Sequence, residues 1–74
     1  MTATILLGAS LKNLLGGKDN FIVKPGQTVR ETIRPLGINP ELVAMVSVND
    51  EMQNKDYVIQ DRDEIRLMAV IGGG

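Results

Sequence analysis

Thr28-Val29-Arg30-Glu31-Thr32-Ile33-Arg34-Pro35-Leu36-Gly37 carries the pattern of a main helix, and the segments on both sides of it read as strands. Thr28 stands three residues before Glu31. Its hydroxyl can therefore accept from the Glu31 N–H while the Glu31 carboxylate accepts from the Thr28 N–H, a capping box that marks a helix start. Val29, Ile33 and Leu36 fall at i, i+4 and i+7, an apolar stripe suited to lying on a sheet, with Arg30, Glu31 and Arg34 on the wet side. Pro35 cannot donate to the Glu31 carbonyl and its ring crowds that turn, so the last turn should be kinked or 3₁₀-like before Gly37 ends it.

Upstream, Thr2 to Gly8 is rich in β-branched and aliphatic residues and reads as a first strand. Leu11, Leu14 and Leu15 then follow at helical spacing, one short turn closed by Gly16-Gly17. Phe21-Ile22-Val23-Lys24 reads as a second strand stopped by Pro25-Gly26, and the first two strands should pair as a hairpin. Downstream, Asn39-Pro40-Glu41 is a turn that delivers the chain into a third strand over Leu42 to Val48. Asn49-Asp50 turns it back into a polar loop containing Tyr57-Val58-Ile59. The last strand, Glu64 to Ile71, alternates charged and apolar residues before becoming wholly apolar, so Ile65 and Leu67 should face the helix while Met68 and Val70 project from the other face. Strand, strand, helix, strand, strand is an α+β arrangement, with one main helix packed on one face of a mixed sheet of four to five strands.

Composition narrows the chemistry. At 74 residues the chain is one domain, with residues 1–70 expected to form the globular body and 71–74 a glycine tail. Phe21 and Tyr57 are the two aromatic residues, so the core must be aliphatic and no aromatic platform exists for stacking nucleic-acid bases. Net charge is −1, with five basic and three acidic side chains before Asp50 but six acidic and two basic from Asp50 to Glu64. That acidic stripe is a solvated loop surface or a means of steering a basic partner. Direct binding of nucleic acid is disfavoured. Cys and His are absent, which removes thiol nucleophiles, disulfides, thiolate zinc sites and imidazole bases. No metal site is expected, and the remaining acids and bases lack activating partners, so the chain is not expected to be an enzyme. No signal-peptide pattern or span of about 20 apolar residues is present, and a soluble cytoplasmic protein with no membrane partner is the expectation.

The sequence closes on Ile71-Gly72-Gly73-Gly74. Glycines at that position brace no helix and fill no core. They can thread into another protein's narrow active site, where no side chain hinders attack on the Gly74 carbonyl and the backbone N–H groups remain open to pairing. A frayed, inert chain end is the competing reading.

Four stretches together resemble the β-grasp, ubiquitin-like sulfur carriers of the MoaD and ThiS type: Leu11-Lys12-Asn13-Leu14-Leu15-Gly16-Gly17; Thr28-Val29-Arg30-Glu31 with Leu36-Gly37; Val48-Asn49 with Asp56 to Asp61 and Asp63-Glu64; and Leu67 to Gly74. The tail lacks the prolines that molybdopterin-synthase small subunits carry at the positions of Ala69 and Val70, and leans toward the thiazole type. The Leu11 to Gly17 segment leans toward the molybdopterin type. Asp50 and Arg62 stand where the family commonly has turn glycines, so both turns are expected to differ locally.

The resemblance implies a mechanism. An E1-like partner would adenylate the Gly74 carboxylate with ATP, sulfur from a cysteine-derived persulfide would displace AMP, and the resulting Gly74 thiocarboxylate would donate sulfur in molybdopterin or thiamin-thiazole synthesis. The sulfur-accepting partner would be a synthase of the molybdopterin-synthase large-subunit or thiazole-synthase type. ATP belongs to the activating enzyme, and no cofactor is expected to be held stably. Ordering Gly72, Gly73 and Gly74 in a partner's site costs roughly 3–6 kcal/mol, which docking elsewhere must offset. Met68, Val70 and Ile71 are the candidates for that docking, with cover by the domain itself the other reading for Val70 and Ile71. Two alternatives remain: a protein modifier joined through Gly74 to substrate lysines, and a β-grasp interaction domain with an inert tail.

Overall fold

The computed structural model describes residues 1–69. In chain order its main elements are β1 (Ala3–Leu7), α1 (Ala9–Leu14), β2 (Asn20–Val23), α2 (Val29–Ile33), β3 (Val43–Val48), β4 (Glu51–Gln53) and β5 (Glu64–Ala69). The capping box forms: the Glu31 N–H donates to Thr28 Oγ1 at 3.1 Å and the Thr28 N–H donates to Glu31 Oε1 at 3.0 Å. The Thr28 N–H, and second the Thr28 hydroxyl, which donates to the same Oε1 at 3.0 Å, hold the Glu31 carboxyl below the usual carboxylate range. After Ile33 the chain tightens into a 3₁₀ turn over Arg34–Leu36 and stops at Gly37 with φ 88°. Pro35 accounts for the tightening, since an α-turn there would want the N–H it lacks.

The sheet has five strands in the order β2-β1-β5-β3-β4. β1 pairs antiparallel with β2 and parallel with β5, while β3 pairs antiparallel with both β5 and β4. The last strand thus lies at the centre, between the first and the third. Its inward residues Ile65 and Leu67 are fully buried, and they meet Ile5 of β1, Val46 of β3 and the Val29 and Ile33 stripe of α2 in one aliphatic core. Helix and sheet each bury one face against the other, the two-layer solution expected of a single amphipathic helix on a half-apolar sheet. This is the β-grasp arrangement.

Three local expectations change. The segment after Asn49-Asp50 is not wholly loop, because β4 pairs with β3 through Val48↔Glu51, Ser47↔Met52 and Val46↔Gln53. Its side chains are all exposed, so no apolar alternation announces it. The signal was the turn instead: Asn49 and Asp50 sit at φ 50° and 70°, the two left-handed positions of a type I′ hairpin. Leu42 lies in a 3₁₀ turn over Pro40–Leu42 rather than in the third strand. Leu14, expected on an apolar helical turn, is 64% exposed, whereas Leu11 is buried.

Asp63 is the buried carboxylate of the fold, at 6% exposure. Its Oδ2 accepts from the Tyr57 hydroxyl at 2.6 Å and the Gln60 N–H at 2.8 Å, and its Oδ1 accepts from Asn49 Nδ2 at 2.9 Å. Asn49 in turn accepts the Glu64 N–H through Oδ1 at 2.9 Å. Burial alone raises the Asp63 pKa, but the donors from Tyr57, Gln60 and Asn49 outweigh it and hold the carboxyl below its ordinary value. The same bond to Asp63, with burial, pushes the Tyr57 hydroxyl up to about 12.

The signs define a window. A depressed Asp63 contributes stability that is present above its unfolded pKa of about 3.9 and lost as pH falls through the folded value; a raised Tyr57 contributes stability present below about 10 and lost above it. Denaturant midpoints should therefore hold a plateau between about pH 4 and pH 10 and fall on both sides. Asp63→Asn should flatten both limbs and cost about 1–3 kcal/mol at pH 7, because its amide would turn one donor toward another. Unchanged limbs in the variant's pH profile would assign the pH dependence elsewhere.

Candidate functional site

β5 leads directly to the segment where the sequence places its chemistry. Gly72, Gly73, Gly74, Val70 and Ile71 all lie outside the described residues. What the structure does describe is the rim from which that segment departs.

Met68 is the candidate the structure reaches. It is 52% exposed and points away from the helix, as the alternation of Ile65 and Leu67 requires. Its cross-strand neighbour is Met45 of β3, itself 44% exposed. On the same outer face, Arg66 lies between Leu6 of β1 and Ser47 of β3, and Ser47 is followed by Met52 of β4. Ile22, opposite Thr4, is 68% exposed. The outer face is thus a sparse apolar field around one ion pair, Arg66 to Glu64 at 2.9 Å, which is exposed at both ends and contributes little to stability. Alternation from Val43 does not place Met45, because the pairing of β3 with β5 shifts register between Val43 and Met45.

The acidic stripe is largely engaged within the domain. Asp56 meets Arg30 at 3.3 Å, Asp61 accepts the Thr2 N–H at 3.0 Å, Glu64 holds Arg66, and Asp63 is buried. Asp50, Glu51, Asp56, Asp61 and Glu64 all remain exposed, so the stripe still presents negative charge to solvent, with Arg30 and Arg66 offsetting part of it. Among the described residues, no group of three His, Cys, Asp or Glu side chains is placed to hold a metal ion, and no helix is long and apolar enough to cross a membrane.

A family model matches residues 5–74, nearly the whole chain and all of its glycine tail; it is that of the ThiS family. The chain belongs to the ThiS family. ThiS-family proteins are small sulfur carriers rather than enzymes. The fold of this ThiS-family chain is similar to that of a chain in the solved protein–protein complex of subunits 1 and 2 of molybdopterin-converting factor from Helicobacter pylori 26695. The TM-score is 0.63 and the identity 22%, with all of both chains covered. At that identity the likeness speaks to the fold, and it supports the β-grasp arrangement described above. A sequence search of curated proteins finds no match.

Proposed function

We propose that this protein carries sulfur on its C-terminal glycine. The observation that carries the reading is the extent of the family match, which runs through Gly72-Gly73-Gly74 rather than stopping at the end of the sheet. An E1-like enzyme adenylates the Gly74 carboxylate with ATP, releasing pyrophosphate and giving a mixed anhydride. The terminal sulfur of a cysteine-derived persulfide displaces AMP, and a thiol of the partner or the donor then attacks the cysteine sulfur of the acyl disulfide, forming a disulfide and releasing a Gly74 thiocarboxylate. The absence of Cys and His agrees with this, since no side chain of the chain can hold a persulfide or act as an imidazole base.

The acceptor is a synthase of molybdopterin or thiamin-thiazole assembly. The similar chain in the converting-factor complex, solved with two subunits together, supports a protein partner of that type. Gly72 and Gly73 enter the partner's channel because they present no side chain, while Met68, with Val70 and Ile71, supplies apolar contact that offsets the ordering of the tail. ATP is bound by the partner, not by this domain.

Intact-mass spectrometry tests the reading after incubation with the cognate E1-like enzyme, ATP and a persulfide donor. The expected result is a mass gain equal to the exchange of one oxygen for sulfur, located by fragmentation at Gly74. Heavier adducts on target lysines without that exchange would replace the carrier by a protein modifier. No change with an enzyme shown to be active would leave a binding domain with an inert tail.

A further inference from the structure

A second apolar surface lies on the helical side of the same rim. Leu11, Leu14 and Leu15 of the α1 segment face Ile38 and Leu42 across a recess of about 230 Å³. Leu14 is 64% exposed and Leu42 44% exposed, so two large aliphatic side chains flank an open apolar recess. Neither is needed for the core, which is closed beneath them by Leu11 and Ile38, both buried. A singly exposed leucine is ordinary; two across one recess are a surface with a shape.

Its position decides the occupant. Leu42 immediately precedes Val43, and Val43 is the cross-strand partner of Ala69, so the recess opens beside the end of β5. Five residues follow Ala69. Fully extended they span at most about 17 Å. An enzyme that holds the Gly74 carboxylate in its active site must therefore bring the rim of that site close against the end of β5. The outer sheet face around Met68 and the α1 recess flank that end on opposite sides.

We infer that the recess between α1 and the Ile38–Leu42 segment docks an apolar side chain of the enzyme that activates Gly74. The inference rests on the sulfur-carrier reading for the identity of that enzyme, and holds equally if the activated glycine goes to a lysine, since adenylation precedes both. Docking there grips the domain on its helical side and aligns the tail with the active site.

The test uses the full chain, the cognate E1-like enzyme, ATP, a persulfide donor and a thiol reductant, with steady-state pyrophosphate release as the readout. Leu14→Gln/Leu42→Gln should raise KM roughly tenfold or more while kcat stays within about twofold, because the contact is made on binding and is kept through the reaction. Both side chains are exposed, so the variant should fold, and methyl NMR of the unaltered protein supplies a second reading. The Leu14, Leu15 and Leu42 methyl signals should shift or broaden on adding the enzyme. Equal KM values with unperturbed methyls would overturn the docking site while leaving the function standing. Absence of pyrophosphate release from the parent chain would overturn the function, and this inference with it. Shifts of those methyls on deleting residues 70–74 in the free protein would assign the recess to the chain's own tail, and a dimer lost in the variant would assign it to a second copy; either overturns the inference.

Discussion

Deletion of Gly73 and Gly74 is expected to abolish thiocarboxylate formation while leaving the melting temperature within about 2 °C of the parent. The two residues carry no apolar side chain to bury, so their loss removes no hydrophobic stabilisation. It does move the terminal carboxylate to Gly72. The tail then falls short of the partner's reacting centre by two residues, roughly 7 Å of extended chain, far beyond what an aligned acyl transfer tolerates. Mass spectrometry and pyrophosphate release follow the first quantity and thermal melting the second. A fall of ten degrees or more would show that the tail supports the domain, and retention of the sulfur-exchanged mass would show that Gly74 is not the site.

The largest effect on stability should come from Leu67→Ala. Leu67 is fully buried in the central strand, between β1 and β3, and its carbonyl accepts the Gly8 N–H at 3.0 Å, where β1 ends and α1 begins. Truncating a buried leucine costs about 2–5 kcal/mol, as lost transfer energy plus the cavity left behind. In a domain of this size each kcal/mol lowers the melting temperature by about 4–8 °C, so the variant should melt some 10 °C or more below the parent. Small domains sit toward the low end of roughly 5–15 kcal/mol, and such a loss would leave a measurable unfolded fraction near physiological temperature. Urea unfolding checks it, with a lower midpoint and an unchanged slope. A midpoint shift worth under about 1 kcal/mol would mean that the core relaxes around the gap.

These predictions separate the body from the tail, and the two were legible to different degrees. The helix could be read from Thr28, Glu31 and the Val29–Ile33 stripe because capping and amphipathic packing are local, and its 3₁₀ end could be read from Pro35 because a missing N–H is a property of one residue. The outward placement of Met68 followed from the pleat of a strand whose alternate residues are Ile65 and Leu67. β4 was not legible by hydrophobic pattern, since an edge hairpin exposed on every residue has no buried face to produce one. Asp63 stood in an acidic run and read as surface charge. Its burial depends on Asn49, fourteen residues earlier, and on Tyr57, six residues earlier, meeting it across a turn.

By itself the sequence determined the α+β class, the single capped helix, the aliphatic core, the lack of nucleophilic or imidazole chemistry and the side-chain-free Gly72 to Gly74, because each follows from residue type or from spacing within one segment. The tertiary structure alone decided that β5 lies parallel beside β1 at the centre of the sheet, that Asp63 is held by three donors, and that Leu14 and Leu42 face one another beside the end of the last strand. Those features rest on contacts between segments far apart in the chain, whose pairing is selected by the combined burial of both faces of the fold and has no signature in any one segment.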